Sequence, residues 1–261
     1  MRRRILIAAL IAGAAFLVLY GVGFHLILRN QHGSMTLIER RVFLNVFTLA
    51  GLFAANTLTV MASVLLPIDT LSGEIESGVI QTLAVRPIRR REIVLGKWLG
   101  YWVVMAGYLA LLAGGVLAIA AALAHFTPPR VQIGLPLMLL EGTVLLTLSI
   151  AGGARLSTVT NGMLAFGLFG LAFIGNWVEQ IGTWAGNDAA RQVGTVASLI
   201  MPSEAMWQLA ASQMQPSILR ELGNTPFSPV SVPSAAMVVW AGGYVLATLA
   251  IGIRSFGRRA L

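Results

Sequence analysis

Two stretches of this chain, Ile5–Leu28 and Val42–Ile68, contain no Asp, Glu, Lys or Arg. An apolar run of about 20 residues is enough to cross the hydrocarbon core of a bilayer as a helix, and both runs exceed that length. Four further runs qualify: Trp98–Ala124, Val131–Ala154 (interrupted by Glu141), Leu156–Val178 and Val230–Ile253. Inside a bilayer every backbone N–H and C=O must be paired within the protein, which for runs this long means helices. The expectation is an all-α integral membrane protein, one transmembrane domain over residues 1–261 with six transmembrane helices. A water-soluble fold is excluded by the charge content. Only 11% of residues are charged and 57% are hydrophobic, with mean hydropathy +0.80, where a soluble domain carries about 25% charge. The opening Met1-Arg2-Arg3-Arg4 followed by an apolar run has the outline of a signal peptide. The run is too long and lacks a clean small-residue cleavage site, so a retained first span is expected.

Charge placement sets the orientation. With the N-terminus inside, 12 of the 18 Lys and Arg residues fall on inner segments, among them Arg2–Arg4, Arg86, Arg89–Arg91, Lys97, Arg155, Arg254, Arg258 and Arg259. Arg29, Arg40, Arg41, Arg130, Arg191 and Arg220 fall outside. This bias predicts both termini in the cytoplasm. Trp98, Tyr101 and Trp102 then lie at the cytoplasmic interface, which amphipathic rings favour. The net charge of +8 fits lipid phosphate as partner, and no nucleic-acid motif accompanies it, so no nucleic-acid partner is expected. The absence of cysteine removes disulfides, thiolate metal sites and cysteine nucleophiles.

Polar residues inside the spans are few. A charge at the position of Glu141 costs about 2.5–3.5 kcal/mol on insertion scales, so it faces protein, water or an end of the span. It lines a substrate path or snorkels from near the outer end. Asn56, Thr57 and Thr59 favour hydrogen bonding between helices over substrate contact, with Asn56 and Thr59 retained as substrate-path candidates. His25, His32 and His125 are scattered without ligand spacing, so no metal site is expected. Gly107, Gly114, Gly115, Gly162, Gly167 and Gly170 read as helix-packing positions rather than pore lining. No catalytic motif is present.

Two connections are more than turns. The outer segment 179–229 contains Ser203 followed by Glu204, a helix start, with Met206, Trp207, Ala210 and Met214 on one face. A helix between spans five and six, interfacial or re-entrant, is expected. Trp177, Glu204 and Trp207 are candidates for an outer gate, with Trp177, Trp184 and Trp207 read as interface anchors.

The inner segment 69–97 is acidic first (Asp69, Glu74, Glu76), then apolar at Val79, Ile80, Leu83 and Ala84, then basic around a Pro break at Pro87. It reads as two short helices broken at Arg86-Pro87. Such an element has an acidic helix start, an apolar stripe that needs a partner, and a basic end that anchors on lipid phosphate. The pattern Glu74-x-Glu76-x-Gly78, an apolar helix through Leu83, Arg86-Pro87-Ile88 with Arg90, and a stretch from Glu92 to Gly96-Lys97 at the start of a span resembles the membrane subunits of type 2 ABC exporters. The position between spans two and three fits the same family. One departure is that Val79-Ile80-Gln81 stands where the family often has Thr-Leu-Glu, so an amide replaces one acidic contact.

The resemblance implies the permease subunit of an ATP-driven exporter in the cell (plasma) membrane. Its cytoplasmic coupling helix would dock a separate ABC ATPase through Asp69, Glu74, Glu76, Gly78, Ile80, Leu83, Arg86, Pro87 and Arg90. It implies two ATPase copies and a second permease copy, as a homodimer or a related heterodimer. No cofactor is implied for this chain itself, with ATP and Mg held by the partner. The only lysine, Lys97, is followed by Trp98, so no phosphate-binding P-loop exists here, and the chain is not expected to be an enzyme. The alternative is a non-transporting membrane anchor or scaffold that recruits a cytosolic protein through the same surface.

Overall fold

The computed structural model describes residues 2–30, 36–70, 73, 90–216 and 232–258. All regular structure among them is helical: α1 (Arg2–Asn30), α2 (Leu37–Leu65), α3 (Arg90–Ala124), α4 (Val131–Gly153), α5 (Thr158–Trp184), α6 (Asp188–Ile200), α7 (Ser203–Gln213) and α8 (Ala235–Gly257). Six of these, α1 to α5 and α8, are long and apolar enough to cross a membrane, as expected from the sequence. The six apolar helices make the chain a multi-pass membrane protein.

The boundaries differ from the hydropathy blocks for local reasons. α2 starts at Leu37, five residues before the apolar block, because Thr36 and Glu39 form a capping box. The Thr36 amide donates to the Glu39 carboxylate at 2.8 Å, and the Glu39 amide donates back to the Thr36 hydroxyl at 3.2 Å. It stops at Leu65, ahead of Pro67. α3 begins at Arg90, so Arg90 and Arg91 belong to the first turn of the span, while the expected break at Arg86-Pro87 lies outside the described residues. α5 runs past Val178 to Trp184 and carries Glu179 and Gln180 within it.

The chain forms two compact units, and several helices contribute to both. The first comprises Met1–Thr59, Ala106–Leu139 and Trp207–Pro233. Its core is an aromatic ladder between α1 and α2. Tyr20 and Phe24 stack at 5.8 Å, and Phe24 stacks on Phe47 at 5.1 Å. Gly51 leaves room for the Tyr20 ring, and Gly115 of α3 receives Leu17 of α1. The Tyr108 hydroxyl donates to the Ala9 carbonyl at 2.9 Å. The C-terminal half of α7 is tied to α2 and α4. Trp207 packs on Phe53 at 5.3 Å, Asn45 donates to the Met214 carbonyl at 2.9 Å, and Met214 occupies the space left by Gly134.

The second unit comprises Val60–Met105, Leu140–Met206 and Ser234–Leu261. Its centre is α4 from Glu141 to Ile150, where every residue is buried. A helix buried all round in this way is a core helix, and its polar groups need partners. Trp98 and Trp102 of α3 donate their indole N–H to Thr147 and Thr143 at 2.8 and 3.0 Å, so these rings are bonded to α4. Ser149 donates to the Val64 carbonyl at 3.0 Å, and Asn161 of α5 donates to the Ser149 carbonyl at 2.7 Å. Gly252 of α8 lies against Ala151.

Candidate functional site

Three polar places in the second unit carry functional information. The first is the root of the 69–97 segment. After α2 the chain turns through residues 66–70. Thr70 is buried and donates its hydroxyl to Tyr101 Oη at 2.7 Å, while Lys97 Nζ donates to the Thr70 carbonyl at 3.2 Å. Asp69 accepts from the Thr158 hydroxyl, in the first turn of α5, at 3.2 Å. The exit from α2 is therefore fastened to α3 and to the start of α5 by side chains one residue apart. Of the expected docking residues, the structure places Asp69 here. Arg90 opens α3, and its side chain lies outside the described residues. Glu74, Glu76, Gly78, Ile80, Leu83, Arg86 and Pro87 also lie outside them.

The second is a buried polar line on α5 and α7. The Asn176 amide donates to the Glu204 carboxylate at 3.0 Å, and Gln180 donates to the Asn176 carbonyl oxygen at 3.1 Å. Glu204 is only 4% exposed. Burial pushes its carboxyl up to about 7, against the opposing effect of the Asn176 hydrogen bond. A carboxyl poised there holds or releases a proton near neutrality, and it accepts hydrogen bonds from hydroxyl or ammonium groups in either state.

The third is Glu141, 1% exposed and near the middle of α4, 10 residues from its start. Snorkelling from the end of the span is therefore not how this side chain is accommodated. Its surroundings are protein.

The helix pair between spans five and six is better defined than the sequence suggested. α5 ends in a tight turn in which Gly186 takes φ +65, and Asn187 caps α6 by accepting from the amides of Ala189 and Ala190. α6 then packs antiparallel on α5 through small residues. Gly182 meets Ala190, and Gly175 meets Ala197. The far end of α6 reaches α8, where Trp240 donates to the Leu199 carbonyl at 3.1 Å. α7 begins at Ser203, where the sequence placed it, but it is buried from Ser203 through Ser212. It is a helix inserted among other helices and does not lie on a surface. α6 exposes the apolar residues Val193, Val196, Leu199 and Ile200.

Of the three expected gate residues, Trp177 and Glu204 belong to the second unit and Trp207 to the first. Trp177 is 45% exposed, as an interface anchor would be, while the neighbouring Asn176 faces Glu204. Trp207 is buried and packs on Phe53. Among the substrate-path candidates, Asn56 and Thr59 are buried, but the Thr57 and Thr59 hydroxyls bond to Phe53 and Ala55 of their own helix. Thr59 therefore donates its hydroxyl within its own helix, because a Thr in a helix reaches the carbonyl four residues back. Of the glycines expected to pack, Gly115 and Gly162 do so, and Gly107, Gly114, Gly167 and Gly170 face open space. Sequence reasoning missed Asn161, Asn176, Thr143 and Thr147. Their signal was present as polar residues inside largely apolar spans. No His, Asp and Glu grouping among the described residues is arranged to hold a metal ion.

No curated protein matches the chain. A family model described as "ABC-2 family transporter protein" matches residues 30–261, which takes in five of the six spans, the 69–97 segment and the α6–α7 pair. Family membranes subunits of this kind are not themselves catalytic and work with ATPase partners. The chain belongs to the ABC-2 family of transporter proteins, as a type 2 permease.

Proposed function

We propose that this permease is the membrane subunit of an ATP-driven exporter in the plasma membrane, with both termini cytoplasmic. A separate ABC ATPase docks on the 69–97 segment. Two such permeases, identical or related, form the pathway with two ATPases, which bind the ATP and Mg. The observation that carries this is the fastening of the segment's root. Asp69 bonds to Thr158, and Thr70 bonds to Tyr101 and Lys97. A displacement that reaches Asp69 and Thr70 is passed to α5 and α3 through these bonds. Conformational coupling needs such a contiguous element with two positions.

The orientation is supported by the excess of Lys and Arg on the segments assigned inside. On the outer side, the α5–α6–α7 arrangement is the gate. Glu204 and Glu141 are the polar groups past which cargo moves, with Asn56 and Thr59 on α2 as further candidates along the path.

The test is co-expression with an ABC ATPase and reconstitution into vesicles. Replacement of Glu74 and Glu76 by Lys is expected to abolish co-purification of the ATPase. Thr70→Val with Tyr101→Phe is expected to leave the ATPase bound while lowering coupled ATP hydrolysis several-fold. A Glu74→Lys/Glu76→Lys protein that still binds and drives the ATPase normally would refute the docking surface. It would leave the recruiting-scaffold alternative no better placed, since that uses the same surface.

A further inference from the structure

A cavity of about 680 Å³ opens at the N-terminal end of α2, the opposite end of that helix from the 69–97 segment. Ile38, Arg41 and Val42 of α2 line it, together with His125, Phe126 and Pro129 of the α3–α4 connection. Its volume is that of a small-molecule site. Its walls are largely apolar, and two basic side chains, Arg41 and His125, stand on it.

Glu39 closes the capping box on Thr36, and the Arg130 guanidinium donates to Gln213 at 3.0 Å. Arg41 and His125 make no side-chain hydrogen bond or ion pair among the described residues. The connection that carries His125 is also unusual. His125 and Arg130 take φ of 50 and 49, a region that non-glycine residues seldom occupy, with Pro128 and Pro129 between them. Backbone held this way persists only where its surroundings fix it, and functional sites collect such residues.

A guanidinium at a membrane edge with no carboxylate partner among the described residues matches a phosphate diester, which it binds through paired charge-assisted hydrogen bonds. The apolar wall beside it matches acyl chain. We propose that this cavity binds one anionic phospholipid, its phosphate between Arg41 and His125 and its chains along Ile38, Val42 and Phe126. The assignment rests on the chain spanning a membrane and is independent of ATPase docking.

Native mass spectrometry of the detergent-purified full chain tests it, with phosphatidylglycerol, phosphatidylcholine or inorganic phosphate added in turn. Phosphatidylglycerol is expected to be retained in preference to phosphatidylcholine. Arg41→Gln, by removing one charge-assisted pair, is expected to weaken that retention about tenfold. His125→Gln should weaken it to a lesser degree. Arg40→Gln removes the same charge one residue outside the lining and is expected to change nothing. Thermal unfolding of each variant without added lipid is expected to match the parent, which separates lost binding from lost fold. Equal weakening by Arg40→Gln, or equal retention of the two lipids, would overturn the site. Displacement of phosphatidylglycerol by millimolar inorganic phosphate would overturn the lipid assignment in favour of a free anion.

Discussion

Glu204 shows how a single side chain records its surroundings. Its ordinary value is 4.5, and burial raises it to about 7. Below the ordinary value both folded and unfolded chains hold the proton. Between the two values the folded chain keeps a proton that the unfolded chain has released, so stability falls as pH rises through that window and is flat above it. The whole fall is about 3 kcal/mol at most. Thermal unfolding in detergent between pH 4.5 and 8 is expected to show this decline in the parent and to lose it in Glu204→Gln. A profile unchanged by the substitution would show that another group is responsible. The helix start at Ser203-Glu204 was legible in the sequence, but the burial of Glu204 was not. Nothing in the spacing of Met206, Trp207, Ala210 and Met214 distinguishes a helix lying on a bilayer from one enclosed by other helices, because both need one apolar face. Trp207 illustrates the same ambiguity: a tryptophan serves equally as interface anchor or as core.

At the scale of elements, the α5–α6 hairpin depends on small residues. Gly175 and Gly182 allow Ala197 and Ala190 to approach, and a larger side chain at either position meets α6 directly. Gly175→Leu is expected to destabilise the protein by about 2 kcal/mol, as overpacking does, while Gly167→Leu, which meets nothing, is expected to be near neutral. Thermal unfolding of the two variants side by side checks this, and equal losses would contradict the packing. α6 was not legible in the sequence. Its buried face is made of Gly194 and Ala197, and its larger apolar residues point outward, the reverse of the pattern that marks a helix in water. The long spans were legible because their length and lack of charge admit no other structure. Their ends were not, because a capping box at Thr36 and the continuation of α3 back to Arg90 extend a helix beyond its apolar block.

At the scale of the whole molecule, orientation is the first claim open to measurement. The chain has no cysteine, so a single introduced thiol reports one place. Asn187→Cys, in the turn between α5 and α6, is expected to react with a membrane-impermeant maleimide in intact cells. Ser157→Cys, ahead of α5, should react only after permeabilisation, and the reverse pattern would invert the topology. The six spans and the patterned segment between the second and third were enough in the sequence to bring the family into view. The fastening of Asp69 and Thr70 to α5 and α3 was not, since it joins residues distant in the chain that carry no shared pattern.

The central claim, that the 69–97 segment is where an ATPase docks, is tested most directly by site-specific crosslinking in the same cysteine-free background. Ile80→Cys, co-expressed with an ABC ATPase and treated with a short bismaleimide, is expected to give a permease–ATPase adduct whose yield changes on adding ATP. Asn187→Cys is expected to give none. An Ile80→Cys protein that forms no ATPase adduct, while remaining reactive to a free maleimide, would contradict the account.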